Sequence, residues 1–202
     1  VSHDHPRQSR TTRLAALPSR WRCLSSSVVH STPWFDVRQD DVLRPDGSSG
    51  VYQRVVSPGS VTILALDDND EVAMTRQWIY IHDSSQWRLP SGGIDPVDDN
   101  PLDAAKRELK EETGLTAGAW ASIGKINCAD SLTNHVDYLF VATGLCPGAP
   151  NLEPGEADLQ VVRIPFDAAV SLVMNGYVPD AGSAHALLTL AARRAGLGRA
   201  GY

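Results

Sequence analysis

The chain has 202 residues, 42% of them hydrophobic, enough for one full core. Its net charge of -6, with no basic stripe, argues against nucleic acid as a bulk partner, and no apolar run approaches the ~18 residues a membrane-spanning helix needs. Cys23, Cys128 and Cys146 are odd in number and lack CxxC spacing, so free thiols in a reducing cytoplasm are expected rather than a disulfide framework or a cysteine metal site.

Residues 5–35 carry no Asp or Glu but include Arg7, Arg10, Arg13, Arg20 and Arg22. That composition suits an organelle transit peptide or a disordered lead, and a disordered lead over 1–20 is the expectation. Ser27–Val37 and Val51–Ser57 alternate apolar and polar residues as strands do, with a turn at Pro45–Gly50. They form an N-terminal β extension over 21–57. Val61–Leu66 and Val72–Trp78 read as a hairpin across Asp67–Asp70. A helix follows after Asn100. Ala119–Ala129 and Val136–Thr143 read as strands, and Gly144–Gly155, rich in Pro and Gly, as a mobile loop. Leu159–Ile164 is a further strand, and Asp167–Asn175 and Ser183–Arg194 are helices closed by Gly176 and Gly196. The expected fold class is α/β: a mixed sheet between helices, an α/β/α sandwich over 58–196, with a short tail at 197–202.

The central helix carries the chemistry. Asn100 can cap it, Pro101 suits its first position, and Gly114 can stop it. At ~100° per residue, Glu108, Glu111 and Glu112 fall within about 100° of arc, while Leu102 and Leu109 line the neighbouring arc. Like charges at this spacing each destabilise a helix by ~0.2–0.5 kcal/mol, so the cluster calls for a cation. Carboxylate oxygens suit Mg2+, or Mn2+. Before the helix, Leu89-Pro90-Ser91-Gly92-Gly93 forms a turn whose glycines let a metal or a ligand's phosphates approach the backbone.

From Gly93 to Leu115 the chain resembles the signature of the Nudix hydrolases. Gly93, Arg107, Glu108, Leu109, Glu111, Glu112, Gly114 and Leu115 match eight of nine fixed positions, and Asp99 stands where that family has Glu. The resemblance extends over roughly Trp21 to Arg194 and is greatest for the branch acting on ADP-ribose and nucleotide sugars. Pro33-Trp34, Pro45-Asp46-Gly47, Arg76-Gln77-Trp78 and Trp87–Gly93 carry it. The chain departs from that branch at Ile79 and Arg88, each where the branch often has another residue, and in lacking a proline near Cys128–Asn134.

The resemblance implies a Nudix-type sandwich with an N-terminal sheet that joins two subunits into a homodimer. It implies metal-dependent hydrolysis of a pyrophosphate bond in a nucleoside diphosphate linked to another moiety. Glu108 and Glu112 would bind metal directly, Glu111 a further metal or its waters, and the carbonyl of Gly92 would complete the shell. Arg107 would hold the glutamates in place. The general base would be Glu156 ahead of Glu153, with Glu111 next. Gln77, Trp78, Arg88 and Glu153 would line the substrate pocket. Trp78, Trp87 and Tyr80 suit stacking on a nucleobase or filling a core. His135, Asp180 and Ser183 are expected to be structural. Two alternatives stay open: a hydrolase that removes unwanted nucleoside triphosphates, and a non-catalytic nucleotide sensor. No membrane and no nucleic acid are expected as partners.

Overall fold

The computed structural model describes residues 20–197. The expected disordered lead and C-terminal tail lie outside the described residues, apart from Arg20 and Leu197. Three strands, β1 (Arg22–Ser31), β2 (Asp36–Leu43) and β3 (Ser49–Val56), form an antiparallel sheet in the order β1-β2-β3. The alternation of Ser27–Val37 suggests one strand, but the chain turns at Pro33-Trp34. There the Thr32 hydroxyl accepts the backbone N–H groups of Trp34 and Phe35, at 3.2 and 3.0 Å. Side chain–backbone bonding of this kind competes with a strand ladder.

The core domain holds β4 (Ser60–Ala65), β5 (Glu71–Ile79), β6 (Ser84–Arg88), β7 (Ser91–Gly93), α1 (Pro101–Thr113), β8 (Thr116–Asn127), β9 (Val136–Cys146), β10 (Gln160–Pro165), α2 (Phe166–Met174) and α3 (Ala181–Arg194). One sheet runs β7-β4-β9-β8, with β4 parallel to β9 and the other pairs antiparallel. A second runs β10-β5-β6. The expected hairpin of β4 and β5 is therefore corrected. Its turn exists, as the Leu66–Val72 bridge and the Asp67 N–H to Glu71 carbonyl bond show, but the two strands enter different sheets.

Strand β4 lies at the centre of the layers. Val61, Ile63 and Ala65 face α1 together with Ala105, Leu109 and Phe140. Leu64 faces the opposite side with Leu139, Phe166, Ala186 and Leu187 from β9, α2 and α3. Burial on both faces explains its apolar run Ile63-Leu64-Ala65, and the one buried polar side chain before it, Thr62, donates to Asp137 at 2.7 Å. The α/β/α sandwich expected from the sequence is the observed architecture. Among the described residues no helix is long and apolar enough to cross a membrane.

The N-terminal sheet meets the core along residues 131–135. The Val55 N–H donates to the Leu132 carbonyl at 2.9 Å, and the Tyr52 hydroxyl to the Ser131 carbonyl at 2.8 Å. His135 lies between the Ser57 and Ser60 hydroxyls at 2.7 and 2.9 Å, a structural place as expected.

Candidate active site

Helix α1 is bounded as its sequence dictates. The Asn100 side chain accepts from the Leu102 and Asp103 N–H groups, and Gly114 closes the helix at φ +72° with its N–H on the Lys110 carbonyl. This fixes the rotation of the helix. Ala104, Ala105 and Leu109 enter the core, and Glu108 and Glu112 are buried beside them, at 8% and 4% exposure. Glu111 sits further round, half-buried. The turn opposite is pinned from α3. The Asp180 carboxylate caps α3 by accepting the Ser183 N–H, and the Ser183 hydroxyl accepts the Leu89 N–H at 2.8 Å. Both residues are thus structural, as expected.

At position 92 a Cβ would overlap the Glu108 carboxylate as placed, so a larger residue there would displace that side chain. The Ser91 N–H donates to Glu112 at 3.0 Å. Burial pushes Glu108 up to about 7, against the pull of the neighbouring Arg107 guanidinium. Burial pushes Glu112 up to about 8, against the Ser91 N–H. The negative charge of Glu156 adds to the rise of both, so the loop carboxylate lies within the field of the pair. The Arg88 charge draws Glu112 the other way, which places Arg88 within the field of the same site.

Arg107 organises the cluster. One guanidinium nitrogen donates to Glu108 at 2.8 Å and to Glu111 at 3.0 Å, and the other to the Gly93 carbonyl at 2.8 Å. Its acidic support is Asp98, met by two donors at 2.9 and 3.3 Å, rather than the Asp99 that the signature spacing indicates. Asp98 is held below the usual carboxylate range by this contact, and Arg107 is raised in turn. Aspartate is one methylene shorter than glutamate, and in this loop the side chain one position earlier is the one that reaches. Among the described residues no three carboxylate, imidazole or thiol side chains stand close enough to hold a cation as placed. Arg107 supplies the positive charge between Glu108 and Glu111. The oxygen-only donors and the glycine cradle nonetheless fit a hard divalent cation in chemistry.

Glu153 and Glu156 flank a single helical turn, Pro154–Glu156, and cap each other reciprocally. Glu156 accepts the Glu153 N–H at 3.0 Å through one oxygen, which leaves the other for a proton. Glu153 is exposed and Glu156 half-buried. The loop is tied to β5: the Gln77 carboxamide donates to the Gly155 carbonyl at 3.2 Å, and the Trp78 N–H to Asp158 at 2.8 Å. Arg76, Gln77, Ser85, Asp158 and Gln160 line a cavity of about 180 Å³ there. Gln77 thus holds the loop, while the Trp78 side chain is about half exposed. Trp87 packs against the core with Arg76 over its ring at 5.7 Å, and Tyr80 is fully out in solvent. Sequence reasoning missed Asp158 and Asp98. Asp158 stands only two residues past Glu156, but no local pattern marks it as the anchor of β5. Among the described residues the buried Nε of Arg88 has no partner, and its guanidinium donates to Gln86 at 3.4 Å.

The raised carboxyl groups carry a stability consequence. A folded-state value of about 7 or 8 against the ordinary 4.5 stabilises the fold fully below about 4.5, and that contribution is lost as pH rises through about 8. In a chelator, the wild-type Tm is expected to fall between about pH 5 and pH 8, by about 2–4 °C per kcal/mol lost. Glu112→Gln should flatten the decline. Calorimetry showing the same slope in both proteins contradicts the burial argument.

The comparisons with known proteins agree with this geometry. The NUDIX domain model matches residues 56–182, and the nucleoside diphosphate sugar hydrolase N-terminal domain model matches residues 21–55. The chain is 31% identical to an ADP-ribose pyrophosphatase of Mycobacterium tuberculosis over 156 residues, 77% of this chain and 75% of that protein. It is 26% identical to an ADP-ribose pyrophosphatase of Bacillus subtilis over 86% of this chain and 94% of that protein. A solved ADP compounds hydrolase superposes with a TM-score of 0.76 at 26% identity, covering 90% of this chain and 97% of that one. With the glutamate helix, the glycine turn and the N-terminal sheet all in place, the chain belongs to the Nudix family and is a pyrophosphohydrolase.

Proposed function

We propose that the cleft between β7, α1 and the loop at Glu156 hydrolyses the pyrophosphate bond of a nucleoside diphosphate linked to another moiety, of the ADP-ribose or nucleotide-sugar type. The products are a nucleoside monophosphate and a phosphorylated partner. The observation that carries this reading is the pair of desolvated carboxylates, Glu108 and Glu112, set against a glycine where a Cβ would overlap Glu108 as placed, with Glu156 acting on both charges.

Nudix hydrolases in general require divalent metal ions. Here Glu108 and Glu112, with Glu111 and the Gly92 carbonyl, would hold Mg2+, with Mn2+ as the alternative. A cation so held neutralises phosphoryl oxygens and lowers the pKa of a water. The chain's own residues do the rest. The free oxygen of Glu156 takes the proton of the attacking water as it adds to phosphorus and the bridging P–O bond breaks. Arg88, with a buried donor unpaired, receives a phosphate oxygen, and Trp78 offers a ring face to the base. Arg107 keeps the glutamates oriented. Residues that hold metal ligands in place typically cost 10–100-fold when removed. Asp98→Ala should therefore lower activity or apparent Mg2+ affinity by about that factor, while Asp99→Ala stays near wild type. An Mg2+ titration with the opposite order refutes the Asp98 assignment.

The chain acts as a homodimer in the cytoplasm on this reading. Strand β1 is exposed along its whole length in the single chain, and its Leu24, Val28 and Val29, with Trp34 of the turn that follows, present apolar surface. Such an edge is normally covered. Light scattering should give twice the 21.8 kDa chain mass at micromolar concentration, and a monomer mass contradicts the proposal. The three cysteines are free and exposed, which suits a reducing compartment.

A substrate panel tests the function: ADP-ribose, GDP-mannose, UDP-glucose, NADH, dinucleoside polyphosphates and nucleoside triphosphates with Mg2+ or Mn2+, read by product mass. Turnover of the diphosphate-linked compounds is expected to dominate. Preference for triphosphates favours the second reading, against which the N-terminal sheet stands. No turnover at all favours a sensor.

A further inference from the structure

Beside the exposed face of α1 that carries Lys106 and Lys110, and adjoining the glutamate cluster at Arg107 and Glu111, lies a cavity of about 630 Å³. Lys106 and Lys110 of α1, Thr116 and Trp120 of β8, and Ala149 and Asn151 of the following loop line it, with Arg107 and Glu111 at one wall. None of Gln77, Trp78, Arg88 or Glu156 takes part. The volume is that of a site for a small organic ligand.

The walls are held in place. The Asn151 N–H donates to the Glu111 carbonyl at 2.8 Å. The backbone of Gly148 and Ala149 presses on Gly114, leaving no space there for a Cβ. Gly114 is also at φ +72°, so two constraints demand glycine at this contact. Trp120 is half-buried, braced edge-on by Phe140 at 6.5 Å.

The charges are unbalanced. Lys106 and Lys110 are four residues apart on one exposed helix face, and like charges at that spacing repel. Lys110 has no acidic partner among the described residues, and Lys106 has only Asp103 at 3.5 Å. Glu111, the acid at the wall, is already paired with Arg107 at 3.0 Å. The cavity thus offers two ammonium groups for an anion, an indole for a flat ring, and a carboxamide for polar edges. We propose that it is a second nucleotide site, binding a nucleoside monophosphate with its phosphate on Lys106 and Lys110 and its base against Trp120. The site does not depend on what the cleft hydrolyses.

Calorimetric titration of the full chain with AMP in a chelator tests this, because AMP is not turned over and the cleft lacks metal. Lys106→Ala/Lys110→Ala removes the charges. Thr116→Trp fills the cavity from an exposed position and keeps them. Both should weaken AMP binding at least about tenfold, a 1.4 kcal/mol loss, while the cleft variant Gln77→Ala binds as wild type. Inorganic phosphate should bind at least about tenfold more weakly than AMP. The proposal is overturned if wild type does not bind AMP, if either variant binds it unchanged, if Gln77→Ala abolishes binding, or if phosphate binds as tightly as AMP.

Discussion

Glu112→Gln is expected to remove nearly all turnover while the protein stays folded. Glutamine is isosteric, and its carbonyl oxygen can still accept the Ser91 N–H that now bonds Glu112 at 3.0 Å. What is lost is a charged ligand at a site where a metal supplies several kcal/mol of transition-state stabilisation. At 1.36 kcal/mol per factor of ten, the loss is about a thousandfold. The variant should unfold no earlier than wild type in a chelator near pH 8, because it no longer buries a carboxylate that burial opposes. Retention of more than about a tenth of the wild-type rate at saturating Mg2+ counts against Glu112 as a ligand. Loss of rate together with early unfolding points to a folding role instead.

Glu156→Gln should lower kcat by at least about a hundredfold with KM nearly unchanged, the signature of a general base lost without harm to binding. Glu153→Gln should do much less. Both carboxylates help order the same turn by accepting backbone N–H groups, and glutamine keeps an acceptor at either position, so stability does not separate the variants. Position does. Glu156 bears on the potential of Glu108 and Glu112, whereas Glu153 is exposed. A dead Glu153→Gln beside an active Glu156→Gln moves the base by three residues within the same turn. Two active variants leave Glu111 as the base.

The loop itself is more anchored than its Pro-Gly content suggests. Its first part is latched to α1 through Asn151, and its end to β5 through Gln77 and Asp158.

The parts legible in the sequence were those written locally. Helix α1 begins at Pro101 and ends before Gly114 because capping depends on a few neighbouring residues, and its period alone puts Glu108 and Glu112 together. Strands β8, β9 and β10 were legible to within a few residues for the same reason. What was not legible depends on distant partners. The pairing of β4 in parallel with β9, which takes it out of a hairpin with β5, joins residues 77 apart in sequence at Ser60 and Asp137. Strand β6 is short and polar, and exists because β5 pairs with it. The choice of Asp98 over Asp99 depends on the path of one loop. Asp158 acts only through the backbone of a strand eighty residues earlier.

The most direct test of the central claim is to incubate the full chain with ADP-ribose and Mg2+ in ¹⁸O-labelled water and weigh the products. Hydrolysis at the pyrophosphate by attack on phosphorus predicts AMP and ribose 5-phosphate, with a single ¹⁸O in the phosphate of one of them, and no reaction in a chelator. Intact ADP-ribose, label incorporated at sugar carbon, or equal turnover in the chelator would contradict it.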